Sequence, residues 1–128
     1  MSKVLWALTL IASCALAEIK WAPSYDAALV SAKQEKKNVM VMLSKEGCPA
    51  CDYMENVVFE ERVIEDAITK GFIPVHIDVH TDKVPSGLGF IGTPTFHFLN
   101  ASGEKLKRHD GGANIPTFMG ILNSVKKP

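Results

Sequence analysis

The sequence predicts an α/β fold, a central mixed sheet of about four strands flanked by helices. Three stretches point there. "NVMVML" (38–43) is an unbroken apolar run with β-branched residues, which suits a strand buried on both faces in the middle of a sheet. "FIPVHIDV" (72–79) alternates and is rich in strand formers. "TFHFL" (95–99), the turn "NASG" (100–103) and "EKLKRH" (104–109) read as a hairpin.

Along the chain the order is helix, strand, helix, strand, hairpin, helix. Ser24 is a good N-cap, and Ala27, Ala28, Val30 and Ala32 with the lysines predict a helix over 25–36. Strand 38–43 follows. Pro49 favours a first helical turn, where its missing N–H would be unpaired anyway, so a helix is expected over 49–59. After a break near Glu60, Val63, Ile64, Ala67 and Ile68 recur at helical spacing, and Gly71 sits where a C-cap belongs. Strand 72–79 and a loop with Pro85, Gly87 and Gly89 lead to the hairpin. Gly111-Gly112 breaks the chain, and "IPTFMGILNSVKK" (115–127) closes as an amphipathic helix bearing Ile115, Phe118, Met119 and Leu122.

A chain of 128 residues holds one domain with a real core. Fourteen basic residues balance fourteen acidic ones, which argues against a nucleic-acid partner. The first 17 residues, "MSKVLWALTLIASCALA", differ from the rest: one early charge at Lys3, an apolar run, then Ala15-Leu16-Ala17 before a signal-peptidase cut. The apolar stretch is short for a transmembrane helix, which needs about 20 residues. Residues 1–17 are thus expected to be a bacterial secretory signal and 18–128 a single periplasmic domain. A competing possibility is that Ile11-Ala12-Ser13-Cys14 acts as a lipobox, anchoring the protein to a membrane through a lipidated Cys14. Either way the remaining two cysteines work in an oxidising compartment or at its edge.

Those cysteines stand in "KEGCPACDYM" (45–54), where Cys48 and Cys51 are one helical turn apart. Zinc would need a second half-site. His76 and His80 lie in or near a strand, where four residues rise about 13 Å, so both reach one ion only if the chain bends. Covalent haem needs a histidine after the second cysteine, and Asp52 stands there. A structural disulfide over so short a loop removes little chain entropy. Thiol–disulfide exchange remains. Cys48 falls at a helix N-terminus, where free N–H groups and the helix dipole stabilise a thiolate and bring its pKa below the free value of about 8.5. Cys51, one turn deeper on the same face, would be the buried resolving thiol. No metal and no cofactor is expected.

The apolar strand leading into Gly47-Cys48-Pro49-Ala50-Cys51, the segment "GTPTFHFL" (92–99) and the Gly111-Gly112 pair together resemble the thioredoxin superfamily, over about residues 20–127. "WAPSYDAALVSAKQEKKNVMVML" and "VVFEERVIEDAITKGFIPVHIDV" further resemble its exported members, among them the thioredoxin-like domain of the membrane disulfide reductases. The resemblance implies a thioredoxin fold in which Pro94 is a cis-proline facing the cysteines. Pro49, Thr93 and Pro94 then bind substrate, with the Thr93 backbone offered like a strand edge. Two departures stand out. Gly47 replaces the usual Trp before the first cysteine, and Met42 replaces the buried Asp of the preceding strand. Glu46 becomes a candidate helper for proton transfer.

The function expected is that of an exported thiol:disulfide oxidoreductase that reduces or exchanges disulfides of periplasmic proteins through Cys48 and Cys51. Its partners would be disulfide-containing substrate proteins and a thiol donor such as a membrane disulfide reductase. The alternatives are a disulfide oxidant or isomerase, and a redox-sensitive peptide-binding module without turnover.

Overall fold

The computed structural model describes residues 18–128; the expected signal segment 1–17, with Cys14, lies outside the described residues. The chain forms α1 (Tyr25–Glu35), β1 (Asn38–Ser44), α2 (Pro49–Tyr53), α3 (Arg62–Gly71), β2 (Phe72–Asp78), β3 (Thr95–Leu99), β4 (Lys105–Asp110) and α4 (Ile115–Ser124). α2 runs directly into a turn of π-helix, Met54–Val58. Ser24 caps α1, its hydroxyl accepting the Ala27 N–H at 3.1 Å.

The four strands make one mixed sheet in the order β2-β1-β3-β4. β1 pairs parallel with β2 and antiparallel with β3, and β3 pairs antiparallel with β4. All seven residues of β1 are buried, as the unbroken apolar run requires. Its side chains alternate between two apolar layers. Met40 and Met42 join Phe96, Phe98 and Phe118 beneath α2, α3 and α4, and both cysteines sit in that layer. Val39, Val41 and Leu43 join Ile73, Val75 and Leu99 beneath α1. At about 1.5–3 kcal/mol for each large apolar side chain buried, β1 alone anchors both layers.

The outer strands are blunted. In β2, the Pro74 carbonyl points away from β1 and accepts the Ala22 N–H at 2.8 Å. At the opposite edge β4 carries Lys105, Lys107 and Arg108.

Apart from shifts of one residue at other ends, element boundaries depart from expectation in three places. The helix expected over 49–59 changes pitch at Met54, and Phe59 donates its N–H to the Met54 carbonyl. Apolar spacing does not reveal such a change, because Met54 and Val58 are buried all the same. Gly71 is the last residue of α3 and not its cap; Phe72 is already extended and enters β2 without a left-handed turn. α4 stops at Ser124 because Val125 turns to extended backbone and buries its side chain against the core.

Candidate active site

β1 ends at Ser44, and the chain must reverse into α2 within four residues. Gly47 allows this with φ of +73°, a conformation that side chains disfavour. No neighbour lies within 4 Å of where a Cβ would be, so backbone freedom, not space, explains the glycine. Cys48 is then the N-cap of α2, with extended backbone, and Pro49 follows as its exposed first residue. The Cys48 sulfur accepts the Cys51 N–H at 3.2 Å, as a serine N-cap oxygen would.

Cys48 and Cys51 are joined by a disulfide, with Cα atoms 5.2 Å apart. Cys48 is 4% exposed and Cys51 1%. The order matches the expected division into an outer and an inner thiol, but the margin is narrow. In the disulfide state Cys48 is covered by Thr93, which comes from the far side of the loop before β3.

That loop brings the second expected feature to the cysteines. The Thr93 hydroxyl donates to the Cys48 sulfur at 3.4 Å, and the Thr93 carbonyl oxygen stands 3.5 Å from the same atom. A disulfide sulfur has no proton to give that carbonyl, so the second contact becomes a hydrogen bond only when Cys48 is a thiol. The Thr93–Pro94 peptide bond is cis. Pro94 is buried, and its carbonyl accepts the Gly111 N–H at 2.8 Å. The Gly111-Gly112 segment thereby lies beside the site, and a Cβ on Gly112 would stand 3.8 Å from Ala50 and from the Met54 sulfur.

Glu46 sits in the exposed turn before Cys48 and makes no hydrogen bond or ion pair among the described residues. Met42 is wholly buried and offers no acid. The titratable groups on that side of the sheet come instead from His76 and Glu55, which nothing in the sequence pairs. His76, the β2 partner of Met42, has its Nε2 2.9 Å from Glu55 Oε1, although the N–H is poorly aimed for a hydrogen bond. Glu55 is one turn beyond Cys51, and Trp21 meets the His76 ring edge-on at 5.9 Å between centroids. Together they border a cleft of about 690 Å³ beside the helix. Among the described residues no group of three or more His, Cys, Asp or Glu is placed to hold a metal.

Chemically, a sulfur with two converging donors can carry negative charge, and a second sulfur directly behind it can displace whatever the first has bonded. Known proteins resemble the chain. It is 31% identical over 97 residues to the thiol:disulfide interchange protein DsbD of Vibrio cholerae, spanning 72% of this chain and 15% of that protein's length. Its fold is that of a thioredoxin from Thermus thermophilus, with a TM-score of 0.68, 27% identity and coverage of 83% of this chain and 85% of that one. The oxidised C-terminal domain of DsbD from Neisseria meningitidis shares the fold at a TM-score of 0.60 and 15% identity, over 79% and 91% of the two chains. A family model described as a thioredoxin-like domain matches residues 25–126, and the chain belongs to that family.

Proposed function

We propose that the chain is an exported thiol:disulfide oxidoreductase that reduces or exchanges disulfides in periplasmic proteins. The observation that carries this is the Cys48 sulfur, which receives the Cys51 N–H and the Thr93 hydroxyl and backs onto buried Cys51. In the reduced protein the Cys48 thiolate attacks one sulfur of a client disulfide. A mixed disulfide forms, and the first client sulfur leaves and takes a proton. Cys51 then loses its proton and attacks the Cys48 sulfur. The second client thiol is released and the Cys48–Cys51 disulfide is left. Two electrons and two protons have passed to the client, and an external dithiol restores the pair. Pro49, Thr93 and Pro94 border the approach. The likeness to part of DsbD supports a membrane disulfide reductase as that donor and the periplasm as the compartment.

Substitution of each cysteine tests the roles. Cys48→Ser is expected to abolish the acceleration of insulin reduction by dithiothreitol, leaving the uncatalysed rate, because a hydroxyl does not ionise near neutral pH. Cys51→Ser is expected to attack and stall, accumulating a mixed disulfide through Cys48 that non-reducing gels and peptide mass mapping reveal. Trapping by Cys48→Ser instead would reverse the assignment. Capture of peptides by a wild type that turns over no disulfide would favour a binding module. Residues 1–17 are proposed to be the export signal, so intact mass of the protein from its native cell should start at Glu18, or at a lipidated Cys14. Retention of Met1 contradicts export by either route.

A further inference from the structure

The loop between β2 and β3, residues 79–94, is the longest irregular segment among the described residues, and it delivers Thr93 to Cys48. Loops of such length without secondary structure are uncommon in compact domains, and those that occur are mostly functional or mobile. This one is fastened to the sheet at three points. Leu88 is 5% exposed and enters the apolar layer with Val41 and Leu43. The Thr95 hydroxyl donates to the Gly92 carbonyl at 2.8 Å. His97 Nε2 lies 2.7 Å from the Gly89 carbonyl. A carbonyl only accepts, so Nε2 carries the proton and His97 is the donor. The His97 side chain belongs to a residue only 3% exposed, between Phe96 and Phe98, where a leucine would satisfy the packing. Beyond Gly89 the chain reaches Phe90 and Ile91; Ile91 is 94% exposed and only two residues before Thr93.

We propose that His97 is a positioning residue for disulfide exchange: it holds Gly89, and through it the Phe90–Ile91 segment, in the placement a protein client needs beside Cys48, while Thr93 keeps its own anchors at Gly92 and Pro94. The inference rests on the oxidoreductase function proposed above. A client chain entering the site must lie along that segment, with the apolar Ile91 side chain against it. A small disulfide reaches the Cys48 sulfur without it.

The latch is a buried, titratable ring. Packed against His97 are uncharged Val41 from β1, the Gly89 backbone from the loop, and Lys105, Arg108 and Asp110 from β4. Burial, then the cations of Arg108 and Lys105, hold its pKa below the ordinary histidine value, against the opposite pull of the Gly89 carbonyl and Asp110. The neutral ring is therefore the folded form. What the neutral ring contributes to stability is full above the ordinary histidine range and is lost as pH falls through the lowered value, when a second ring proton places a buried cation beside two others. Nε2 keeps its proton in both forms, so the Gly89 bond itself does not need a change of charge.

The test compares rates at which the pre-reduced protein attacks insulin and the small aromatic disulfide 5,5′-dithiobis(2-nitrobenzoate). The ratio of the two cancels the titration of Cys48, which both reactions share. His97→Leu keeps the bulk and removes the donor, and is expected to lower the insulin rate by about tenfold, the scale of one buried hydrogen bond, with the small-disulfide rate unchanged. His97→Gln keeps a donor at similar reach and cannot ionise. Its ratio should match wild type, because the donor and not the charge holds the loop. An unchanged ratio in His97→Leu, or a ratio in His97→Gln as low as in His97→Leu, overturns the proposal. If His97→Leu does not fold, His97→Met, which also lacks the donor, takes its place in the comparison. A wild type that attacks neither disulfide refutes the oxidoreductase function itself.

Discussion

The Thr93 hydroxyl does more than border a groove. Its proton points at the atom that becomes an anion, and it shares that atom with the Cys51 N–H. Hydrogen bonds to charged groups contribute about 1.5–3 kcal/mol, against roughly half that for neutral ones, so the contact strengthens when the disulfide is reduced. Thr93→Val, which keeps the shape and loses the donor, is expected to slow iodoacetamide labelling of Cys48 at neutral pH about tenfold. An unchanged labelling rate would place the control of the thiolate in α2 alone. The cysteines are legible in the sequence from their spacing, and Thr93-Pro94 only through the resemblance of the segment 92–99 to a known family. Glu55–His76 and His97–Gly89 are not legible, because each joins two elements that only the folded sheet brings together. Glu46 looked eligible by proximity in sequence alone, and the turn at Gly47 leaves it facing solvent.

At the scale of elements, the helix that carries the cysteines is seated on aromatic rings. Phe96 of β3 lies under it, wholly buried, with ring centroids 5.0 Å from Phe118 of α4 and 6.3 Å from Phe59 beyond the π turn. Phe96→Ala empties the junction of three elements and should cost about 3–5 kcal/mol, read from urea unfolding. A loss below about 1 kcal/mol would mean that the layer repacks freely. Strand positions were readable almost to the residue because burial on one or both faces imposes its own period on the sequence: β3 occupies the expected 95–99, and β1 extends its expected run by Ser44 alone. Helix ends were less readable. Gly71 resembled a cap, but the direct entry of Phe72 into β2 needs no reversal.

For the molecule as a whole, stability should fall on acidification in two separate stages. His97 is the first: its folded pKa lies below its unfolded one, so its contribution is full above the ordinary histidine range and declines below it. Two carboxylates are the second. The backbone N–H of His80, with that of Thr81, holds Asp78 below the ordinary carboxylate range, and hydrogen bonds from Arg108, with help from Thr95, do the same for Asp110. What these contribute is present above the ordinary carboxylate range and is lost as pH falls through the lowered values. Thermal melts across pH should show both stages, and His97→Gln should remove the first alone. A single stage in wild type would contradict this account. The architecture was evident from the sequence because one doubly buried strand, one alternating strand and one hairpin leave few ways to build a sheet. The acid response was not, because it depends on which cations β4 sets beside β3.

The covered outer strand has a consequence for how the protein behaves in a crowd. An open strand edge is a template on which other chains can polymerise. At Pro74 the edge of β2 has no N–H to offer, and its carbonyl is already taken by Ala22. At the far edge the positive charges of Lys105, Lys107 and Arg108 repel a second copy laid alongside. An oxidoreductase of the kind proposed above would meet chains with unpaired strands at its sulfur without being drawn into their fibrils.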